Sequence, residues 1–143
     1  MKQVGDALDT AARVRLVVAR LQRRIRNQEM GGLSLTEVSC LSVIARRGPV
    51  AINEIASSEH LSFPAATKTI ARLEAAKIVK RLADPTDRRV SLITITPTGD
   101  RVLEEIRQRR NAFLQERLAG LTRSELDALE AALPLLERMA EDE

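Results

Sequence analysis

Apolar positions along the first part of the chain recur at a helical period. Ala11, Val14, Val18, Leu21 and Ile25 are spaced 3, 4, 3 and 4, the repeat of a helix packed lengthwise against another. Arg13, Arg20, Arg23, Arg24 and Arg26 take the remaining faces, and Gly31-Gly32 supplies a stop. A helix over about residues 8–28 is predicted. The next start is marked by a capping box, Ser34 with Glu37 reaching back, and by a Leu33–Val38 staple. Val38, Leu41, Ile44 and Ala45 form its core face, and Gly48-Pro49 ends it. Residues 50–52 read as a short extended piece, and residues 53–60 as a short helix holding Ile55 and Ala56. Leu61-Ser62 then turns the chain. Ser62 caps a helix over about 63–76, with Pro64 tolerated in its first turn.

On that helix Ala66, Ile70 and Leu73 share a narrow arc and face the core. The opposite arc holds Pro64, Ala65, Lys68, Ala71, Arg72 and Ala75, with Thr67 and Thr69 on its flanks. An ordinary amphipathic surface helix more often shows long side chains of mixed charge there. Alanines that let the backbone approach, beside Lys, Arg and Thr donors, suit a helix that reads a DNA groove. Ser62, Ala65, Thr67, Lys68, Thr69 and Arg72 are therefore candidate DNA contacts.

Two alternating runs follow, residues 78–83 and 90–96, separated by Asp84-Pro85-Thr86-Asp87-Arg88-Arg89. Each run reads as a strand and the segment between as a turn. Strand, loop and strand directly after a helix-turn-helix make a winged helix, with Arg88 and Arg89 carried at the wing. Because successive strand residues point to opposite faces, one arginine of the pair is expected in the groove (Arg89) and the other bracing the loop (Arg88).

Thr96-Pro97 opens a further helix with Leu103, Ile106, Phe113, Leu114 and Leu118 as its apolar positions, ended by Gly120. Thr122 and Glu125 box the start of the last helix, and Leu121 staples to Leu126. Leu126, Leu129, Leu133 and Leu136 then repeat at 3, 4 and 3, with Pro134 expected to kink the helix. These stripes are longer than a small winged helix can cover, so a second copy is the economical solution. Val14, Val18, Leu21, Phe113, Leu126, Leu129, Leu133 and Leu136 are the expected dimer contacts, and two-fold symmetry would space the reading helices one DNA turn apart. The fold class is mainly α (α+β): a winged helix-turn-helix over 34–96 between dimerisation segments 1–33 and 97–143.

Composition narrows the function. Of 143 residues, 44% are apolar, with no Trp, no Tyr and two Phe, so the core is aliphatic. Uncharged stretches fall far short of the roughly 20 residues of a membrane span, and Asp6 and Asp9 interrupt any leader-like start; a cytoplasmic protein without a membrane partner is expected. The net charge of +3 hides a gradient. Residues 1–47 carry nine basic and four acidic groups, 63–90 seven and three, and 100–143 seven and eleven. A basic centre is the footprint of a nucleic-acid binder. One cysteine and one histidine cannot build a structural zinc site. No phosphate loop or nucleophile elbow is present either, so neither an enzyme nor a cofactor is expected. Cys40 reads as a small buried apolar residue, His60 as a turn residue, and Arg23, Arg24 and Arg26 as a solvated face with a ligand crevice as the alternative.

The motif Asp84-Pro85-Thr86-Asp87-Arg88-Arg89, followed by Leu92-Ile93-Thr94-Ile95-Thr96-Pro97-Thr98-Gly99, resembles the MarR family of winged-helix transcription regulators. Arg72-Leu73-Glu74 and Gly48-Pro49 also sit where that family has them, and the resemblance spans about residues 8–140. It implies a homodimer on palindromic double-stranded DNA near its own promoter, commonly as a repressor, and often a small phenolic or aromatic-acid ligand. It also implies that a wing arginine enters the minor groove while a neighbouring aspartate, here Asp87, steadies it. Two positions depart from the pattern: His60 and Lys77 stand where the family favours glycine. The competing readings are a winged helix that binds only proteins, and a redox sensor acting through Cys40.

Overall fold

The computed structural model describes residues 2–28 and 30–141. Among the described residues, six helices and three short strands follow one another as α1 (Lys2–Arg26), α2 (Leu35–Arg47), β1 (Val50–Ala51), α3 (Ile52–Ser58), α4 (Phe63–Ala75), β2 (Val79–Ala83), β3 (Ser91–Ile95), α5 (Pro97–Ala119) and α6 (Arg123–Ala140). The mainly helical winged-helix architecture expected from the sequence is the one found. Helix α1 starts earlier than its apolar stripe, because Lys2 to Ala7 contain no breaker strong enough to exclude them; Gly5 is tolerated inside the helix. Ile52 joins α3 rather than the extended piece before it.

The helix starts are built as their residues dictate. Ser34 Oγ accepts from the Glu37 amide at 3.1 Å, while Glu37 Oε2 accepts from the Ser34 amide at 2.8 Å. Thr122 and Glu125 form the same reciprocal pair at α6. Helix α6 runs on through Pro134.

The core is aliphatic. Cys40, Leu41 and Ile44 of α2, Ile55 of α3, Ala66, Ile70 and Leu73 of α4, Ile93 of β3 and Leu103 of α5 are sealed from solvent. The antiparallel sheet has the order β1-β3-β2, with Val50 opposite Ile93 and Val79 opposite Ile95. The central strand β3 therefore ties the wing to the segment entering α3.

Both turns that lack glycine keep the backbone that glycine would favour. His60 has φ 53° and Lys77 has φ 60°. At each, the next residue donates back across the helix end, Leu61 to Ala56 and Ile78 to Leu73, both at 2.9 Å. These are Schellman closures. The apolar residues that follow, Leu61 and Ile78, pack on the core, and that burial offsets a left-handed cost of about 1–2 kcal/mol.

Gly99 marks a close approach between α5 and the wing. A Cβ there would overlap the Ile78 carbonyl oxygen and lie 2.7 Å from Ile95 Cγ1. Thr96 closes the same joint: its amide donates to Ile78 O at 3.0 Å and its hydroxyl to Lys77 O at 2.6 Å. The Thr-Pro-Thr-Gly start of α5 is thus a fastening for the root of β2.

The terminal helices are not covered in the monomer. Among the described residues of α6 none is buried. Helix α1 exposes Leu8, Leu16 and Val17 in addition to Val18 and Leu21, so its apolar face is wider than the stripe read from the sequence.

Candidate nucleic-acid interface

Helix α4 turns its core arc inward as its periodicity requires, with Ala66, Ile70 and Leu73 at zero exposure. Pro64, Lys68, Ala71, Arg72 and Ala75 lie on the exposed arc, and Ala65 is half-buried at its edge. Neither threonine turns its hydroxyl outward. Thr69 Oγ1 donates to the Ala65 carbonyl at 3.0 Å. Thr67 Oγ1 is buried without a hydrogen-bond partner, so in this geometry it presents no donor outward. Ser62 Oγ accepts from the Ala65 amide at 3.3 Å as the cap of α4. The outward donors of the helix are Lys68 and Arg72.

The wing is held by local hydrogen bonds. Asp84 Oδ1 accepts from the Thr86 amide at 2.8 Å and from its hydroxyl at 2.7 Å. These bonds hold the Asp84 carboxyl below the usual carboxylate range. The Val90 amide donates to Asp87 O at 3.0 Å, so Arg88 and Arg89 are the two central residues of a β-turn. Both lie within the segment read as a turn and ahead of β3, so the argument from alternating strand faces does not apply to them. Asp87 receives Arg89 on both oxygens, Nε at 3.1 Å and NH2 at 3.3 Å. That fork lowers the Asp87 pKa, Arg89 being the first cause. The Arg89 side chain is nevertheless 91% exposed, braced at its base and open at its end.

Arg88 forms no ion pair among the described residues, so the expectation that it braces the loop is not met. Thr86 and the Asp87 amide take Oδ1 of Asp84. The bracing is done by the two aspartates.

The start of α4 and the wing border one concavity. Arg89 lines an open concavity with Phe63, the first residue of α4, and with Asn53, Arg81 and Ser91. Arg81 of β2 is fastened to Glu74 of α4 at 2.9 Å, which sets the wing against the helix. One contact was not foreseen from the sequence: Glu37 Oε1 of α2 lies 3.9 Å from Arg72 NH1. The capping box pointed to Glu37, but no local pattern pointed to its partner.

Cys40 is fully buried. Burial, with Glu59 and Glu37 adding to it, pushes its pKa up to about 11, the opposite of a reactive thiolate. No cluster of His, Cys, Asp and Glu able to hold a metal occurs among the described residues, and no described helix is long and apolar enough to cross a membrane.

Comparison with known proteins places this geometry. The MarR family model matches residues 33–91, from just before α2 to the first residue of β3. An HTH-type transcriptional regulator of Mycobacterium bovis is 34% identical over 134 residues, 90% of this chain and 94% of that protein. A candidate transcriptional regulator from Pseudomonas aeruginosa superposes with a TM-score of 0.84 at 28% identity, covering 97% of this chain and 98% of its own. The fold also matches a MepR mutant of Staphylococcus aureus solved bound to an oligodeoxyribonucleotide, with a TM-score of 0.71 at 17% identity over 92% of this chain and 98% of that one. The chain belongs to the MarR family of winged-helix transcription regulators, a family of DNA-directed regulators and not of enzymes.

Proposed function

We propose that this protein is a homodimeric repressor that binds palindromic operator DNA, with α4 in the major groove and the wing in the minor groove. The observation that carries this reading is the meeting of the start of α4 with the wing at one open concavity, with Lys68 and Arg72 exposed beside small side chains along the helix and Arg89 exposed on the wing. Arg89 is steadied by Asp87, an arrangement suited to a narrow groove that concentrates negative potential. The fold it shares with the DNA-bound MepR mutant supports the same placement. A second copy would cover the apolar faces of α1 and α6 (Val14, Val18 and Leu21 with Leu126, Leu129, Leu133 and Leu136) and the half-buried Phe113 of α5.

Relief by a small aromatic or phenolic acid is the second part of the proposal. Arg110 Nε of α5 is buried with no hydrogen-bond partner. Burial, and then the charge of Arg26 at the end of α1, hold its guanidinium below its ordinary pKa. Two cations this placed favour an anion between them.

Selection of bound sites from random DNA tests the reading directly. The expected product is an inverted repeat with half-sites about one helical turn apart, bound in a strongly salt-dependent way. Failure to enrich any sequence would favour a winged helix that serves protein partners only. Salicylate or a similar acid is expected to weaken the selected complex.

A further inference from the structure

The buried carboxylate behind the recognition helix has more to do than cap a helix. Glu37 is 9% exposed, and its two oxygens serve different elements. Oε2 closes the box at the start of α2, and Oε1 faces Arg72 NH1 on α4 at 3.9 Å. A glutamine closes such a box equally well, so the cap does not require a negative charge. Near a DNA-facing helix that charge repels phosphate and weakens non-specific binding. What it supplies in return is orientation: Arg72 has a 63% exposed side chain, and a long arginine held at one nitrogen loses less freedom when its other donors engage a base. The pair is an ion pair without a direct hydrogen bond, so the guanidinium keeps its outward N–H groups for DNA.

We propose that Glu37 is a positioning residue for sequence recognition, aiming Arg72 at the O6/N7 edge of a guanine in each half-site. The inference rests on the DNA-reading role given above to α4. It separates the two cations of that helix: Arg72, braced from behind by a carboxylate, reads a base, whereas Lys68, without an ion pair among the described residues, meets phosphate.

The test uses the full-length protein and its selected site, with every base pair of one half-site varied singly. Binding is measured for wild type, Glu37→Gln, Arg72→Ala and the double variant. Arg72→Ala is expected to relax preference at one G·C pair by roughly five- to 150-fold, the range of a bidentate arginine–guanine contact. Glu37→Gln is expected to relax the same pair by roughly two- to fivefold, as a part-exposed ion pair allows, and binding to random DNA should hold or rise. In the Arg72→Ala background Glu37→Gln should change the discrimination no further. Because glutamine keeps the capping box, its melting temperature should stay close to wild type; Glu37→Ala, which removes box and charge together, reports the structural part separately. Wild-type discrimination in Glu37→Gln, or a loss spread evenly over all positions, would overturn this inference alone. An Arg72→Ala variant that relaxes no position would overturn the base-reading role of α4 and this inference with it.

Discussion

Arg89 and Arg88 are neighbours in one β-turn, yet only Arg89 has a partner among the described residues, and that difference predicts different behaviour on DNA. Arg89 is pre-aimed by the Asp87 fork, so Arg89→Ala should remove one cation per subunit from the complex. For a dimer the slope of log affinity against log salt should flatten by nearly 2, from about 0.9 per released counterion, and the preference for A·T pairs under the wing should fall. A wild-type slope and wild-type flank preference in Arg89→Ala would reject the assignment; the same losses in Arg88→Ala would move the role to that residue. Cys40 supports a second expectation. With its thiol pushed up to about 11, it holds hardly any thiolate at pH 8. Iodoacetamide should label it slowly in the native protein and rapidly in denaturant, and peroxide should leave DNA binding unchanged. Rapid native labelling with loss of binding would restore the redox reading.

The ends of the helices and their fastenings decide how firmly the wing is held. The two Schellman closures at α3 and α4 are made without glycine, and the packing of the partly buried Leu61 and the buried Ile78 that follow them explains how. Gly99 is the opposite case, a position where nothing larger fits because Ile78 O and Ile95 crowd the missing Cβ. Gly99→Ala should destabilise the fold by about 1–3 kcal/mol, the usual cost of forcing atoms into filled space, read as an earlier denaturant midpoint. Since the same joint anchors the root of β2, DNA affinity of the remaining folded protein should fall as well. An alanine variant as stable as wild type would show that α5 shifts freely against the wing.

Assembly rests on faces that a single chain leaves bare. Leu133 of α6 is 46% exposed and Val18 of α1 is 51% exposed, in helices whose leucines and valines recur at packing period. Leu133→Asp or Leu129→Asp places a carboxylate in the proposed two-fold interface at a cost of several kcal/mol. Light scattering should then show monomer or unfolded protein where wild type is a dimer. A soluble dimer unchanged by either substitution would put the interface elsewhere. The order of helices and strands, the caps at Ser34, Ser62, Thr96 and Thr122, and the inward arc of α4 were all legible in the residues themselves. Each depends on neighbours within about one turn, where spacing and side-chain type suffice. The Arg72–Glu37 pair, the crowding at Gly99, the inward hydroxyl of Thr67 and the division of roles between Arg88 and Arg89 were decided by tertiary structure alone. Each joins groups that meet only after separate segments have packed, or depends on a backbone path set by that packing. No local period records which distant side chain arrives.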